Sequence, residues 1–316
     1  MTISIPTDMR DALDEFNSDA ERLVQAFLDS LNTQGAPGTI YHYTNDAGLK
    51  GILETGKLWL TDIFDLNDPS ELRHGFCQAI EIWNREAFYG CAEADEIGAV
   101  LGDFNSEKLR ESAHYFTCSF SSDGDELGQW RSYADNGRGY SLGFDRQALE
   151  AAFIQSASPF AGTFPVQYNS KLLTDLQGRI VERALPLTSL PTGKGLAGPT
   201  IKLFKLQLLI SVAAHAIHTA VFFKHEAYRN ETEYRFLEMF PANKPPTDVK
   251  VRTRPYSLVK YREFDWRSNA AGALRKIVVG PAADRDKAPQ FARDCLRMYH
   301  KKDIEVIQSP IPYRAL

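Results

Sequence analysis

Apolar residues repeat with helical spacing in three stretches of this 316-residue chain. In residues 8–31 they form one stripe, which predicts an amphipathic N-terminal helix. The Gly-Ala-Pro-Gly run at 35–38 breaks the pattern and predicts the end of that helix. Residues 201–223 and 285–300 predict two further helices, and the first of these is apolar enough to be a buried core helix.

Short runs of β-branched and aromatic residues predict strands between these helices. The runs lie at 39–44, 58–61, 114–121, 140–144, 164–168, 229–237, 277–281 and 304–307. Asn45 or Asp46 can cap a helix between the first two strands, and Gly56 suits its left-handed end. Another helix is expected over 125–133, and the last two strands flank the helix at 285–300 in a β-α-β pattern.

The composition is that of an ordinary globular protein, with 43% hydrophobic and 24% charged residues. No repeat or linker divides most of the chain, so we predict a helical extension over 1–38 and a single mixed α/β domain over 39–316. The net charge of −5 gives no general attraction to a phosphate backbone, so no extended nucleic-acid-binding surface is expected. The four cysteines lack metal-ligand spacing and are expected to be reduced thiols.

Two features bear on the cellular location. The chain opens on a charged amphipathic segment and not on a basic and apolar leader. Its longest apolar run, 208–223, carries His215 and His218 and is shorter than the roughly 20 residues of a membrane-spanning helix. We therefore expect a cytoplasmic protein with no membrane partner.

The first candidate site residue is His42, in the Tyr-His-Tyr-Thr run at 41–44. Strand alternation places His42 and Thr44 on one face and Tyr41 and Tyr43 on the other. A histidine there can hydrogen-bond a ribose hydroxyl. It can equally be a core residue bonded to a backbone carbonyl, and the segment alone leaves both interpretations open.

The second candidate is the pair Glu231 and Glu233. Residues two apart on a strand point to one side, so one carboxylate can orient a nucleophile while the other stabilises a developing cation. Arg235 continues the same face. The alternative is a solvated strand face, because alternating charges on a strand are most often exposed.

The third candidate is an aromatic and basic set formed by Trp130, Arg131, Tyr133 and Tyr140. Aromatic faces can hold a planar ring, and arginine can pair with a pyrophosphate. Trp130 and Tyr133 fall on one helical face with Leu127, so packing in the core is the competing interpretation.

The fourth candidate is the Asn-Asp-Pro-Ser-Glu run at 67–71, which predicts a helix to about residue 89. Free N–H groups at such a helix start attract anions, although helix capping explains the same residues. The chain carries no G-x-G-x-x-G, Walker, H-E-x-x-H or G-x-S-x-G motif. No histidine spacing predicts a metal site, so we expect none.

Several of these runs, in this order, resemble the bacterial domain-of-unknown-function family numbered 2971. They are the runs at 41–44 and 66–71, Thr-Cys-Ser-Phe-Ser at 117–121, Gln-Trp-Arg-Ser-Tyr at 129–133, Glu-Thr-Glu-Tyr-Arg at 231–235 and Ile-Val-Val-Gly-Pro at 277–281. The resemblance extends over residues 39–310.

The order His42, Tyr133 or Tyr140, and Glu233 is also similar to the His-Tyr-Glu pattern of ADP-ribosyltransferases. That similarity implies an α+β fold with mixed, mainly antiparallel split sheets around a cleft and surrounding helices. It implies NAD as substrate and an ADP-ribosyltransferase or NAD glycohydrolase that acts as a bacterial toxin, defence or stress effector. The run at 118–121 only approximates the family's Ser-Thr-Ser strand.

The same resemblance implies roles for individual residues. Glu233 would stabilise the ribosyl cation, and Glu231 would position the acceptor, which is a protein side chain, a nucleobase or water. NAD would be bound by His42 and its neighbour Tyr43, by Arg131 near the phosphates, and by Tyr133 or Tyr140 against the nicotinamide.

Two other functions compete with NAD cleavage. One is a non-catalytic module that binds a nucleotide or a protein in phage defence or stress response. The other is a metal-dependent nuclease that uses Asp68, Glu71 and Glu231, which the acidic composition argues against.

Overall fold

The computed structural model describes residues 4–32, 37–66, 77–78, 81–82, 113–156, 161–241 and 243–315. The chain divides into two compact units. The helical unit comprises Met1–Gln34, Asp68–Ser112 and Gln167–Glu226, and the sheet unit comprises Gly35–Asn67, Ala113–Val166 and Ala227–Leu316. The predicted division into an extension over 1–38 and one domain over 39–316 stays a prediction.

Three helices build the described part of the helical unit: α1 (Thr7–Asn32), α5 (Ser170–Thr188) and α6 (Gly198–Ala220). Each packs against the other two. A stripe of α1 that includes Phe16 and Val24 is buried, as the helical spacing predicts. The prediction of an N-terminal helix over 8–31 is confirmed.

Helix α6 is long and apolar enough to cross a bilayer, but 44% of its most apolar window is buried inside the protein. Most residues from Leu208 to Ala220 are buried, whereas Leu206 and Ile210 are exposed. Partial burial of this kind is typical of a core helix in a globular protein. The cytoplasmic location stays a prediction.

Ten strands and five further helices form the described sheet unit. The strands are β1 (Thr39–Thr44), β2 (Lys57–Asp62), β3 (Ala113–Ser121), β4 (Tyr140–Asp145), β5 (Ala161–Pro165), β6 (Glu233–Pro241), β7 (Lys250–Arg254), β8 (Ser257–Asp265), β9 (Leu274–Val279) and β10 (Glu305–Gln308). The helices are α2 (Asp46–Thr55), α3 (Leu127–Tyr133), α4 (Arg146–Ser156), α7 (Trp266–Asn269) and α8 (Lys287–Cys295).

The strands join into one sheet in the order β10-β9-β4-β1-β3-β2-β8-β7, and β6 pairs with both β3 and β5. All pairings are antiparallel except that of β9 with β10, which flank α8 as the β-α-β pattern predicted. The predicted α+β class with a mixed, mainly antiparallel sheet is confirmed. Nothing in the fold is specific to ADP-ribosyltransferases, and the strands form one network instead of two separate sheets.

The sheet does divide locally along β3. On one side β6 pairs with all nine residues of β3. Strand β1 pairs with β3 only at Ser121, and β2 pairs with it only at Phe116 and Thr117. In the described part of the chain, residues 118–120 of β3 therefore have a strand neighbour on the β6 side alone. The polar residues discussed below gather at this divergence.

One face of the sheet carries the larger hydrophobic core, built from side chains such as Ile40, Phe120, Phe144 and Phe236 and covered by α2, α4, α7 and α8. The other face carries a smaller cluster around Tyr41, Tyr43 and Trp130. Both ends of α2 formed as the sequence predicted: Asn45 caps its start, and Gly56 ends it at φ 69°.

Candidate functional site

Glu233 is the first residue of β6 and lies directly opposite Ser121 of β3. Its carboxylate accepts two hydrogen bonds on Oε1, from Ser119 Oγ at 2.6 Å and from Arg235 Nε at 2.8 Å, and Nη2 of Arg235 lies 2.8 Å from the same oxygen in an ion pair. Glu233 is 5% exposed and Arg235 is 1% exposed. We call Ser119, Glu233 and Arg235 the Glu233 cluster.

The alternative prediction, that this face of the strand is exposed to solvent, is wrong. Strand β6 is an inner strand with β3 on one edge and β5 on the other, and its residues Glu233 and Arg235 are buried. Burying a charge is costly unless it is paired, and here the two charges two residues apart satisfy each other. The charged residues Glu233 and Arg235, whose spacing is typical of an exposed strand, therefore form a buried ion pair.

Glu231 does not share a strand with Glu233, which corrects the predicted pairing of the two carboxylates. Glu231 ends a 3-10 helix over Glu226–Glu231, and Thr232 between them has φ 42°. The Glu231 side chain instead accepts a hydrogen bond from Tyr133 OH at 3.0 Å. Ser121 Oγ donates to the Glu231 carbonyl at 2.8 Å and lies 3.1 Å from Thr232 Oγ1, so the turn is fixed to the end of β3.

His42 lies on the core face of β1, and its ring reaches the divergence of the sheet. Nδ1 lies 3.1 Å from the carbonyl oxygen of Ser119, and the ring packs edge-on against Phe120 at 5.7 Å. Burial lowers the pKa of His42, against a smaller opposing effect of the Ser119 carbonyl. The ring is therefore neutral at pH 7. Ser119 lies between His42 and Glu233, since its carbonyl oxygen faces the His42 ring and its hydroxyl donates to the Glu233 carboxylate.

Tyr43 lies on the opposite face of β1, as strand alternation predicts. Its hydroxyl donates to the Asp123 carbonyl at 2.8 Å and accepts from the Glu126 N–H at 3.0 Å, so Tyr43 fixes the loop before α3. Its ring packs edge-on against the buried Trp130 at 4.8 Å. Trp130 is therefore a core residue, consistent with the packing interpretation.

Helix α3 presents Arg131 and Tyr133 on the surface. The guanidinium of Arg131 forms no ion pair with another described residue. Leu127, Trp130 and Tyr133 share a helical face as predicted, but only Trp130 is buried, because α3 ends at Tyr133 beside the small cluster. Tyr133 can still contact a ligand, since its ring is more than a third exposed.

Tyr140 lies on β4, next to the strand that carries His42, but its ring is buried. Tyr140 pairs with Thr44 of β1 and lies in the large core. Its hydroxyl donates a hydrogen bond to the Ala288 carbonyl at 3.3 Å. Burial raises the pKa of Tyr140. With 1% of its surface exposed, Tyr140 is a structural residue, which leaves Tyr133 as the tyrosine beside the candidate site.

Sequence reasoning missed Ser119 and Ser121 as site residues. They lie two apart on β3, opposite Arg235 and Glu233, and period-2 alternation along residues 117–121 would have paired them. Cys118 points to the other face, where burial and then the nearby Glu233 raise the pKa of its thiol to about 12. Cys118 and Cys295 are buried and Cys77 is exposed, all unpaired, while Cys91 lies outside the described residues.

Two predicted sites cannot be placed. The run at 67–71, with Asp68 and Glu71 of the nuclease hypothesis, lies outside the described residues. Of the helix predicted to about residue 89, only 77–78 and 81–82 are described, and they are helical. Within the described ranges, no three His, Cys, Asp or Glu side chains are grouped so that they could hold a metal ion.

Comparison with known proteins adds a family match. Residues 129–236 match the family described as protein of unknown function (DUF2971). The match agrees with the first resemblance over a shorter range than 39–310, and it spans Tyr133, Glu231 and Glu233. It does not extend to ADP-ribosyltransferases. No curated protein and no solved structure matches the chain.

Proposed function

We propose that the protein cleaves the bond between nicotinamide and ribose in NAD, and that Glu233 is the catalytic carboxylate. The supporting observation is how Glu233 is held. Its arginine partner lies two residues away on the same strand, so this ion pair joins no distant elements. Arg235 and Ser119 instead fix the position of a carboxylate where the sheet divides.

In the proposed reaction the bond from the ribose anomeric carbon to the nicotinamide nitrogen breaks, and its electron pair leaves with nicotinamide. The cation that forms on the ribose is stabilised by the negative charge of Glu233, which is oriented before the reaction. An acceptor oxygen or nitrogen then attacks the anomeric carbon and gives up its proton. Glu231, at the more exposed end of the turn and held by Tyr133, takes that proton.

The remaining candidates would bind the substrate. Tyr133 offers an exposed aromatic face to nicotinamide, and Arg131 offers an exposed guanidinium to the pyrophosphate. His42, neutral at pH 7, can hydrogen-bond a ribose hydroxyl through the ring nitrogen that does not face Ser119. Tyr43 would act indirectly, because its hydroxyl is committed to the loop before α3.

A non-catalytic nucleotide- or protein-binding module is the second candidate function. The observation that favours it is the deep burial of Glu233, whose Oε1 already accepts two hydrogen bonds and pairs with the Arg235 guanidinium. A carboxylate held in this way can serve the fold alone. In that case the exposed Arg131 and Tyr133 would bind a ligand without chemistry.

Nicotinamide release tests the choice. Purified protein is incubated with NAD, and free nicotinamide is followed by chromatography. Glu233→Gln keeps the shape and removes the charge, so it should lower the rate about 100-fold or more. If the wild type and Glu233→Gln release nicotinamide at similar rates, the role of Glu233 is refuted. If the wild type releases none, the binding module is favoured.

Glu238→Gln is the matched control. Glu238 is also a buried carboxylate on β6, but it faces the opposite side of the sheet and pairs with Arg262. Its replacement should leave the rate of nicotinamide release within a few-fold of the wild type. Equal losses in both variants would indicate damage to the sheet instead of loss of a catalytic group.

A further inference from the structure

A second polar surface lies at the other end of the sheet, on β2, β8 and β7. Trp59 of β2 is 46% exposed, and its indole contacts the ring of Tyr261 at a centroid distance of 4.5 Å. The guanidinium of Arg252, on β7, lies 5.6 Å from the Trp59 ring centre. Arg254 follows two residues later on the same face. We call these four residues the Trp59 patch.

Arg252 reaches across β8, and none of the described residues forms an ion pair with it. It lies opposite Val259, which is fully buried, and its side chain continues to Trp59. Its Nε is shielded from solvent and makes no hydrogen bond in the described part of the chain. An N–H in this state is costly. The two terminal nitrogens of the guanidinium are not shielded in this way, and they are the donors that a ligand oxygen can reach.

The charges around Arg252 favour an anion. The neighbouring Arg254 repels it, and this repulsion adds to burial in lowering the pKa of Arg252. Two carboxylates lie nearby. Glu263, opposite Trp59, is held by Lys57 and Lys250 at 2.6 and 2.9 Å, and Asp65 accepts a hydrogen bond from the Lys260 N–H at 3.0 Å. Arg254 donates a hydrogen bond to the Asp65 carbonyl at 3.1 Å, which holds the Arg254 guanidinium within the patch.

We propose that the Trp59 patch binds a nucleotide, with the base on the exposed part of the Trp59 indole and the phosphate at Arg252. Tryptophan is a strong stacking surface for a nucleobase, and a guanidinium pairs with phosphate in a planar, forked geometry. A phosphate dianion also offsets the two adjacent guanidinium charges, which an uncharged aromatic ligand would not do. The proposal does not depend on NAD cleavage at Glu233.

Calorimetric titration of the whole chain tests this site with three probes: adenosine monophosphate, adenosine and inorganic phosphate. The monophosphate should bind more tightly than either fragment, since only it engages both parts of the patch. Arg252→Gln and Trp59→Leu should each weaken its binding about tenfold. Arg275→Gln, which removes an exposed arginine of β9 paired with Asp145, is the control and should bind as the wild type does.

The outcomes separate this site from the Glu233 site. Glu233→Gln should keep full affinity for the monophosphate, whether or not the protein cleaves NAD. Equal binding of adenosine and its monophosphate, or unchanged binding by folded Arg252→Gln, would overturn the proposal. Equal binding of phosphate alone would also overturn it, because Trp59 would then have no part in recognition.

Discussion

The helical unit buries two neutral histidines, whereas the sheet unit buries charged pairs on β6 in addition to the neutral His42. In the helical unit, burial lowers the pKa of His215 and that of His218 to about 4, so both rings are neutral at pH 7. In the sheet unit, buried glutamates on β6 are held as ion pairs by arginines. A neutral buried base is sensitive to acid, whereas a buried ion pair is sensitive to the loss of one partner.

The two ion pairs of the sheet unit also differ from each other. Glu238 of β6 pairs with Arg262 of β8, which also holds Asp248, so this pair joins separate parts of the unit. Glu233 pairs with Arg235 on its own strand. The first pair stabilises the arrangement of strands, and the second mainly fixes a carboxylate.

The largest effect is expected from Arg235→Met. This change removes the guanidinium that pairs with the buried Glu233 carboxylate, which should lower the free energy of unfolding by about 4 kcal/mol. Urea denaturation measures the loss. Adding Glu233→Gln to the same chain should recover part of it, because the uncompensated charge is then gone. A double variant no more stable than Arg235→Met would contradict the ion-pair explanation.

Arg262→Met should have a smaller effect, roughly 3 kcal/mol in the same denaturation experiment. The Arg262 side chain is 15% exposed, so water can reach Glu238 more easily once the guanidinium is removed. Nicotinamide release should be retained in this variant. A greater loss of stability than in Arg235→Met would reverse the proposed contrast between the two pairs.

Acid should lower the stability through the buried neutral histidines, of which His215 belongs to the helical unit. The folded-state pKa of His215 is below its ordinary value of 6.5, so the unfolded chain binds more protons as pH falls. The associated stability is present above pH 6.5 and is lost between 6.5 and about 4. For His215 alone the loss from neutral pH to about pH 5 should be about 2 kcal/mol.

His215→Gln checks the source of this acid sensitivity. Glutamine can keep a hydrogen bond to Asn17, which lies 3.2 Å from His215 Nε2, but it cannot take up a proton. Denaturation curves across this pH range should be flatter for His215→Gln than for the wild type. The control is His225→Gln at an exposed position, and an equally flat curve there would assign the effect to something other than burial.

Local signals in the sequence predicted many of the elements but missed α4, α5, β7 and β8, and they did not specify the faces of the sheet. Asn45 and Gly56 marked the ends of α2 because capping depends on residues close in sequence. Tyr140 and Tyr133 looked equivalent as stacking residues, yet one lies in the core and the other on the surface. That difference depends on which strands and helices cover β4, which residue spacing alone does not specify.

The site itself was predicted in part. Residue type and order selected His42 and Glu233, and Ser119 connects them in the structure. The pairing of Glu231 with Glu233 was wrong because strand alternation was extended across Thr232, where the backbone turns. A β-branched residue gives no sequence signal for positive φ, so this turn could not be foreseen.

Thr232→Asn should have the smallest effect and the opposite sign. At φ 42° a threonine is strained, whereas asparagine adopts this region more readily, so the free energy of unfolding should rise by about 1 kcal/mol. Thermal unfolding measures the gain, and Thr253→Asn on β7, where φ is negative, should show none. If the strain serves to separate Glu231 from Glu233, nicotinamide release should fall while stability rises. A gain in stability with unchanged release would mean that the turn, unlike the buried ion pair, has no part in positioning the carboxylates.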